Sequence, residues 1–585
     1  MFLVVGGLGI RQFHQRKLEG LFAGSPETPA ELPGGTCPRI AYDLKYWLGE
    51  VDYENETAPA SLEAGRPKAE ANPWAYVDGA ERERFEAMMR RSPRADAATG
   101  ATRLVRLQSP TVYRETWLPR SCTITSPVDG ALFPSNLCSP FVEWSDTHND
   151  LWQVTVSAPS NSLRWTGLSR EHRWRVPGSV WEKIRGLPAG TTVQVQVRGV
   201  KRAGLWGTAR STVHVSRPVS LSISPDPADA AIVYRLVDPP FVSYKTPNMY
   251  VREIGEKEAR PFLLSRRRYC FNCHTFSRQS AGGKVGLQVR YMGETRSDLR
   301  VYFAVHHIGT RRTEKIALPF KIQMTTFMAW SPDETKLAFS ANQAIVTLPP
   351  LVHETQYAGL PTSDIAVYDT TRNEAYLLPG ASAEDVIEVY PRWTPDGKSI
   401  VYCRASAGAH PALVKLALHV IRFDDGRGGT GRAIPGAQAP DKSSYYPRFS
   451  PDGRWFTFVR SDGGSLIKSS SDVWIMPGSL EGEARPLESN VPFAADSWHS
   501  WSSNSRWIVF ASKRDDGVFA RLYMTHIDDE GHASPAVRLP VTDPPMMSFN
   551  IPEFVTGVPA IRERTLYDGL DIENEAVHVG RRDGN

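Results

Sequence analysis

WSPDETKLAFS (Trp330–Ser340), WTPDGKSIVYC (Trp393–Cys403) and FSPDGRWFTFV (Phe449–Val459) state one pattern three times: an aromatic residue, a Ser/Thr-Pro-Asp turn, then a strand. Proline presets φ at the second position of a β-turn. Aspartate closes the turn through its side chain, and glycine takes a positive φ where it is present. WSSNSRWIVFA (Trp501–Ala511) is a worn copy and SPDPADAAIVYR (Ser224–Arg235) an early one. Each string has a downstream half that reads strand, polar turn, strand: MYVREIGEKEARPFLL (Met249–Leu264), IAVYDTTRNEAYLLPG (Ile365–Gly380), HVIRFDDGRGGTGRAIPG (His419–Gly436), VWIMPGSLEGEARPLE (Val473–Glu488) and LYMTHIDDEGHASPAVRLP (Leu522–Pro540). DLRVYFAVHHIGTRRTEKIALP (Asp298–Pro319) is a sixth half, behind the degenerate first half KVGLQVRYMG. Six such units predict a six-bladed β-propeller over residues 222–571. SFNIPEFV (Ser548–Val555) either begins a seventh blade or closes the ring. Closure is the expectation, because it removes exposed sheet edges.

Upstream, residues 121–217 change character. PFVEW (Pro140–Trp144), LWQVTVSA (Leu151–Ala158), TTVQVQVRGV (Thr191–Val200) and STVHVSR (Ser211–Arg217) alternate as strands do, with polar turns between them. Val193, Val195 and Val197 share a face that a partner sheet must cover, so this stretch predicts a β-sandwich with Trp144 in its core. Residues 1–120 read as an apolar segment and an irregular extension, with AERERFEAMMRR (Ala80–Arg91) a short amphipathic helix. MFLVVGGLGI at the start is too short to span a bilayer, and its basic residues Arg11, Arg16 and Lys17 follow it, the reverse of a secretory signal. It offers a membrane contact at most.

One short motif carries chemistry. Cys270, Phe271, Asn272, Cys273 and His274 spell Cys-x-x-Cys-His, the spacing that attaches a c-type haem. Each sulfur adds to a haem vinyl group, and the histidine meets the iron as the proximal ligand. Zinc is the rival occupant, but it takes four ligands, and His306 and His307 lie more than thirty residues downstream. On the repeat map the motif falls in the connection at 265–284, where a rigid scaffold would hold a cofactor. Arg266, Arg267 and Arg268 stand beside it as partners for a propionate. Met292 is the nearest candidate for the distal ligand, with His306, His307, Met324 and Met328 further along. Covalent haem is attached outside the bacterial inner membrane, so the motif implies export to the periplasm or the outer face of the envelope. Of the remaining cysteines, Cys122 and Cys138 are candidates for a disulfide, and Cys37 and Cys403 have no evident partner.

The turn strings resemble the TolB-like propeller repeat. Trp393 to Lys398 and Phe449 to Arg454 match it in full; Glu334 departs from it, and Ser503, Asn504 and Ser505 depart further. The order IVYR, YVRE, CFNCHTFS and then repeats is similar to a bacterial group of exported TolB-like proteins with one c-type haem motif. The sandwich resembles a fibronectin type III module through its strand pattern and length. These resemblances imply an all-β protein: an N-terminal extension, a fibronectin type III-like sandwich and a TolB-like propeller.

Composition bounds the partners. A net charge of +4 over 585 residues gives no argument for nucleic acid. No phosphate loop, zinc helix or nucleophile elbow is present in the sequence, so apart from the haem motif no catalytic constellation is legible. The expected function is an exported cytochrome-like protein that carries one haem c and exchanges electrons with a redox partner or senses redox state. The alternatives are an interaction module for a cell-envelope protein, and a haem-dependent periplasmic oxidoreductase.

Overall fold

The computed structural model describes residues 122–581, apart from 160–162, 201–213, 238–247, 266–268, 278–282, 293–298, 321–324, 343–361, 408–412, 541–546, 558–562 and 571–576. The N-terminal segment, the helix expected at Ala80–Arg91, Cys37, Arg266, Arg267, Arg268 and Met324 lie outside the described residues.

Two sheets form the sandwich. One joins Thr123–Ser126, Phe141–Ser145 and Arg173–Arg175. The other runs Ala131–Pro134, Val219–Ser224, Val193–Val200, Leu151–Ser157, Arg164–Ser169. Val193, Val195 and Val197 face the core as their alternation requires, and Trp144 is fully buried there. A helix, Gly178–Arg185, adds Val180, Trp181 and Ile184 to that core, an element the strand pattern did not indicate. The sandwich also takes in Val219–Ser224, a strand beyond its expected limit at 217. Its core is continuous with Trp507, Met524, Tyr234 and Phe549 of the neighbouring blades, so the two parts share one hydrophobic cluster. Cys122 and Cys138 are both buried and free, so the expected disulfide is not formed; the Cys138 sulfur instead accepts from Arg252 Nη2 at 3.1 Å.

Six sheets follow, each with four antiparallel strands counted from the axis outward. Blade 2 starts at Tyr269–Phe276, blade 3 at Thr326–Trp330, blade 4 at Val386–Trp393, blade 5 at Ser443–Phe449 and blade 6 at Ser497–Trp501. Blade 1 takes Ala231–Val237, Asn248–Glu253 and Arg260–Leu263 from the start of the repeat region, and its inner strand, Ser548–Val555, from the end. That strand is the clasp of a six-bladed ring, not the start of a seventh blade. The inner strands touch in cyclic order from blade 1 round to blade 6 and back. After the clasp, helix Glu563–Leu570 packs on the outer strand of blade 2, and Val577–His578 and Gly580–Arg581 extend the outer edges of blades 2 and 3.

The turn strings fold as their chemistry demands. In blade 4, Thr394 Oγ1 donates to Asp396 Oδ1 at 2.6 Å, Asp396 accepts from the Lys398 N–H at 3.0 Å, and Gly397 takes φ 71°. The worn copy in blade 6 makes the same turn with Asn504 in place of aspartate and Ser505 at φ 61° in place of glycine. Glu334 takes the left-handed position in blade 3. The tryptophan before a turn ties its blade to the last: Trp330 Nε1 donates to the Thr275 carbonyl and Trp393 Nε1 to the Ala329 carbonyl, at 3.3 and 3.1 Å.

Clasp burial is large enough to decide folding. Phe549 and Phe554 are both buried, and each Phe→Ala change is expected to cost about 3–5 kcal/mol. The double variant Phe549→Ala, Phe554→Ala then loses an amount of the order of a whole domain's net stability, about 5–15 kcal/mol. It is expected to lose cooperative thermal melting by circular dichroism. A double variant melting within a few degrees of wild type would show that the clasp does not hold the ring.

Candidate axial site

The Cys-x-x-Cys-His motif does not lie in a connection, as its place between units suggested. Residues Tyr269–Phe276 are the inner strand of blade 2. Its aromatic and β-branched residues favour a strand, and the ring requires an inner strand at this point.

All six inner strands bulge at the same place. Their pairing with the second strand slips between Phe271 and His274, Thr326 and Ala329, Val389 and Arg392, Tyr445 and Arg448, Ser497 and Ser500, and Asn550 and Glu553. In five blades the bulged residue has a positive φ: Phe327 (52°), Tyr390 (59°), Tyr446 (57°), Trp498 (54°) and Ile551 (51°). Asn272 holds the corresponding position in blade 2. A left-handed non-glycine residue costs about 1–3 kcal/mol, so these five bulges need compensation. Part of it is hydrogen bonding for N–H groups that have left the ladder. Phe327 N–H is accepted by the Cys273 sulfur, Tyr390 N–H by Ser340 Oγ at 3.2 Å, and Tyr446 N–H by the Cys403 sulfur. The rest is packing. Tyr390 lies 4.0 Å from Phe327 and 6.1 Å from Tyr446 between ring centroids, and Tyr446 lies 5.1 Å from Trp498. With Ile551 these side chains belong to one cluster, an apolar layer to which four blades contribute an aromatic ring and blade 1 an isoleucine.

Two residues beyond each bulge stands a second, polar layer: His274, Ala329, Arg392, Arg448, Ser500 and Glu553. Glu553 of blade 1 feels the charges of Arg392 in blade 4, across the ring, and of Arg448 in blade 5, which places all three near the axis. His274 Nε2 is 3.9 Å from Glu553 Oε2, and the Phe276 N–H donates to Glu553 Oε1 at 3.3 Å. Arg448 stacks on the Tyr446 ring at 4.0 Å. Arg392 and Arg448 are half-buried and the Glu553 side chain keeps 21 % exposure, so solvent reaches the layer. Burial pushes the Glu553 carboxyl up to about 7, while the two guanidiniums pull it down. Burial and the same arginines hold His499 well below the usual histidine range, and it is hydrogen-bonded to Thr457 Oγ1 at 2.9 Å. His499 is structural.

The motif residues part company on this strand. Cys270 pairs across the sheet with Arg290, on the face that carries Gln288 and Phe303; Cys273 packs with Phe303, Met328 and Trp330 against blade 3. His274 pairs with Leu287, in the cluster with Phe271 and Phe276 that packs against blade 1, and points to Glu553. The two thiols thus share a face and the imidazole takes the other. Cys270 is 1 % and Cys273 6 % exposed, and the His274 side chain has no exposed surface, so no haem-sized void adjoins it. In this conformation the three residues do not fit a haem. Burial also raises both thiols, with Arg290 and Arg235 opposing, which keeps them protonated and unreactive. Among the distal candidates, Met292 ends the second strand of blade 2 and its side chain lies outside the described residues. His306 is buried on the third strand, held below its usual range at about 4, with Nδ1 bonded to Thr313 Oγ1 at 2.8 Å. His307 lies 3.6 Å from Glu314, and Met328 packs beside Cys273. Among the described residues, no cluster of His, Cys, Asp and Glu is placed to hold a metal ion, and no helix is long and apolar enough to cross a membrane.

No family model and no curated protein matches the chain. Among solved structures it is similar to TolB from Acinetobacter baumannii, at 15% identity over 65% of this chain and 85% of that one, TM-score 0.37. An oligogalacturonate lyase in complex with manganese matches at 13% identity over 53% and 86%, TM-score 0.30, and a puromycin-hydrolysing peptidase of Mycobacterium tuberculosis at 12% over 60% and 45%, TM-score 0.33. At these values the propeller assignment rests on the strand pairing itself.

Cys273 has a structural duty that substitution can isolate. Cys273→Ser keeps an acceptor for the Phe327 N–H and is expected to stay within about 1 kcal/mol of wild type, whereas Cys273→Val leaves that donor buried and costs about 1–3 kcal/mol. Urea unfolding of both variants checks this, and equal stability for the two would remove the assigned role.

Proposed function

We propose that this chain is an exported recognition module of the cell envelope, whose propeller binds its ligand in the axial pocket. One observation carries the reading: six bulges in register bring a charged layer over an aromatic one at the axis, with its two arginines and one carboxylate half-buried. Strained backbone and incompletely buried charge are costly, and bulges re-aim side chains at functional sites. A periplasmic location is part of the proposal, and a partner protein or a small solute of that compartment is the occupant it implies.

A ligand that saturates the pocket at about 100 times its Kd adds about 2.7 kcal/mol of stability, which reads as several degrees in Tm. The low-mass fraction of a periplasmic extract is therefore expected to raise the Tm of the wild type and not that of Arg392→Ala, Arg448→Ala. An equal shift in both, or none in either, would overturn the reading.

A second reading is a cytochrome-like protein with one haem c on Cys270, Cys273 and His274, serving electron transfer or redox sensing. Besides the spacing, Gln288 favours it. This residue sits across the sheet from the bulge, fully buried, with neither amide atom hydrogen-bonded, and an unpartnered buried amide costs about 1–3 kcal/mol. Haem there requires the strand to present His274 and the thiols on one side. Exported Cys37→Ala protein, made with cytochrome c maturation machinery, separates the readings. Without haem, the five cysteines described here as free react with a thiol reagent after denaturation; with haem, only three react and the band stains for haem.

A further inference from the structure

We propose that the strand Arg164–Ser169, at the open edge of the sandwich, docks an extended acidic segment of a partner protein, which pairs with it as an added strand. This surface is separate from the axial layer and stands without it. A sheet edge is a row of unpaired donors and acceptors, and proteins protect it with a cover, a bulge, a proline or shortness. Among the described residues, every other outward edge is protected in one of these ways. The outer strands of blades 4, 5 and 6 are two residues long: Arg432–Ala433, Arg485–Pro486 and Val537–Arg538. That of blade 1 carries Pro261, and those of blades 2 and 3 are covered by Val577–His578 and Gly580–Arg581. In the sandwich, Ala131–Pro134 lies against Val537–Arg538 of blade 6 and Thr123–Ser126 is bulged. Arg173–Arg175 and His214–Val215 are short.

Arg164–Ser169 has none of this protection. Its six residues pair with Leu151–Ser157 in unbroken register, and no described strand pairs with its other side. The Ala158 N–H donates to the Leu163 carbonyl at 2.8 Å, which sets the alternation. Trp165, Gly167 and Ser169 therefore bond to the neighbouring strand, while Arg164, Thr166 and Leu168 turn their N–H and C=O groups to the open side. The backbone is fixed from beneath. Trp165 of this sheet stacks on Trp174 of the other, with ring centroids 4.8 Å apart. Gly167 leaves room for both rings: a Cβ there would lie 2.3 Å from the Trp165 ring and 3.1 Å from that of Trp174. Charge names the occupant. Arg164 and Thr166 are exposed, Leu168 is 66% exposed, and exposed Arg170 follows directly. The stretch 164–175 holds four arginines and one acid, Glu171. Arg173 and Arg175 stand over the Phe141 ring, and Arg164 and Arg170 have no ion-pair partner among the described residues. A second copy would bring its own arginines to the same edge, whereas an acidic strand sets opposite charges side by side.

Fluorescence anisotropy of a labelled, end-blocked peptide of alternating glutamate and valine, titrated with the full chain, tests this. The peptide is expected to bind, to bind more weakly as salt is raised, and to outcompete its lysine counterpart. Thr166→Pro removes one outward N–H and no bond to Leu151–Ser157. It is expected to weaken binding at least about tenfold with an unchanged thermal melt. The double variant Arg164→Gln, Arg170→Gln is expected to weaken it roughly 5- to 10-fold and to flatten the salt dependence. Binding lost in the arginine variant but kept in Thr166→Pro would reduce the edge to a charged patch and overturn the strand pairing. Equal binding of the lysine peptide, or no binding of either, would overturn the acidic partner. So would a wild-type dimer in sedimentation velocity that Thr166→Pro abolishes, because the edge would then take a second copy.

Discussion

The pairing of Ser548–Val555 with Ala231–Val237 is the contact on which the rest of the molecule depends. It joins residues more than three hundred positions apart, and without it blade 1 would have three strands and an open inner edge. An open ring would leave blades 1 and 6 with bare faces, and the sandwich would lose part of the surface it packs on, because its core runs on into Tyr234, Phe549 and Trp507. The clasp also brings Glu553 within electrostatic reach of arginines from blades 4 and 5. Ring closure and site assembly are therefore a single event, and such long-range pairing makes for slow folding.

Within the closed ring, the repeated bulge is the second constraint. A flat inner strand would send alternate side chains to the two blade faces and leave the axis lined by backbone edges. One extra residue in left-handed conformation turns a side chain toward the axis instead. Phe327, Tyr390, Tyr446, Trp498 and Ile551 use this to build a layer no single blade can make. The strain is offset locally, where the preceding blade supplies Cys273, Ser340 or Cys403 as acceptor for the displaced N–H. A sulfur and a hydroxyl serve the same purpose at equivalent bulges, which gives two of the buried cysteines a reason to be there without any cofactor.

Much of the fold was legible because turn chemistry repeats in sequence. The six units, the closing strand and the sandwich with Trp144 at its centre all rest on short-range patterns, and all are found. The axial site was not legible from the same strings, since each was read from its aromatic residue onward. Three more residues upstream would have aligned Tyr390-Pro391-Arg392-Trp393 with Tyr446-Pro447-Arg448-Phe449, Trp498-His499-Ser500-Trp501 and Ile551-Pro552-Glu553-Phe554. That register carries the charged layer. It also places Asn272-Cys273-His274-Thr275 on an inner strand, where the haem spacing had suggested a loop. The helix Gly178–Arg185 was missed because eight residues between strands leave too short an apolar period to stand out.

The tension between motif and strand has a geometric origin. Residues i, i+3 and i+4 lie on one face when the backbone turns with a helical period, and Cys-x-x-Cys-His uses that to offer two sulfurs and an imidazole to one ring. A strand has a period of two, so positions three apart diverge and neighbours always do. The bulge at Asn272 corrects the first mismatch by adding one residue, which brings Cys270 and Cys273 to a common face. It cannot correct the second, because Cys273 and His274 remain neighbours beyond it. The same backbone feature that gathers the thiols therefore assigns His274 to the axial layer beside Glu553, on the opposite face of the strand from the sulfurs.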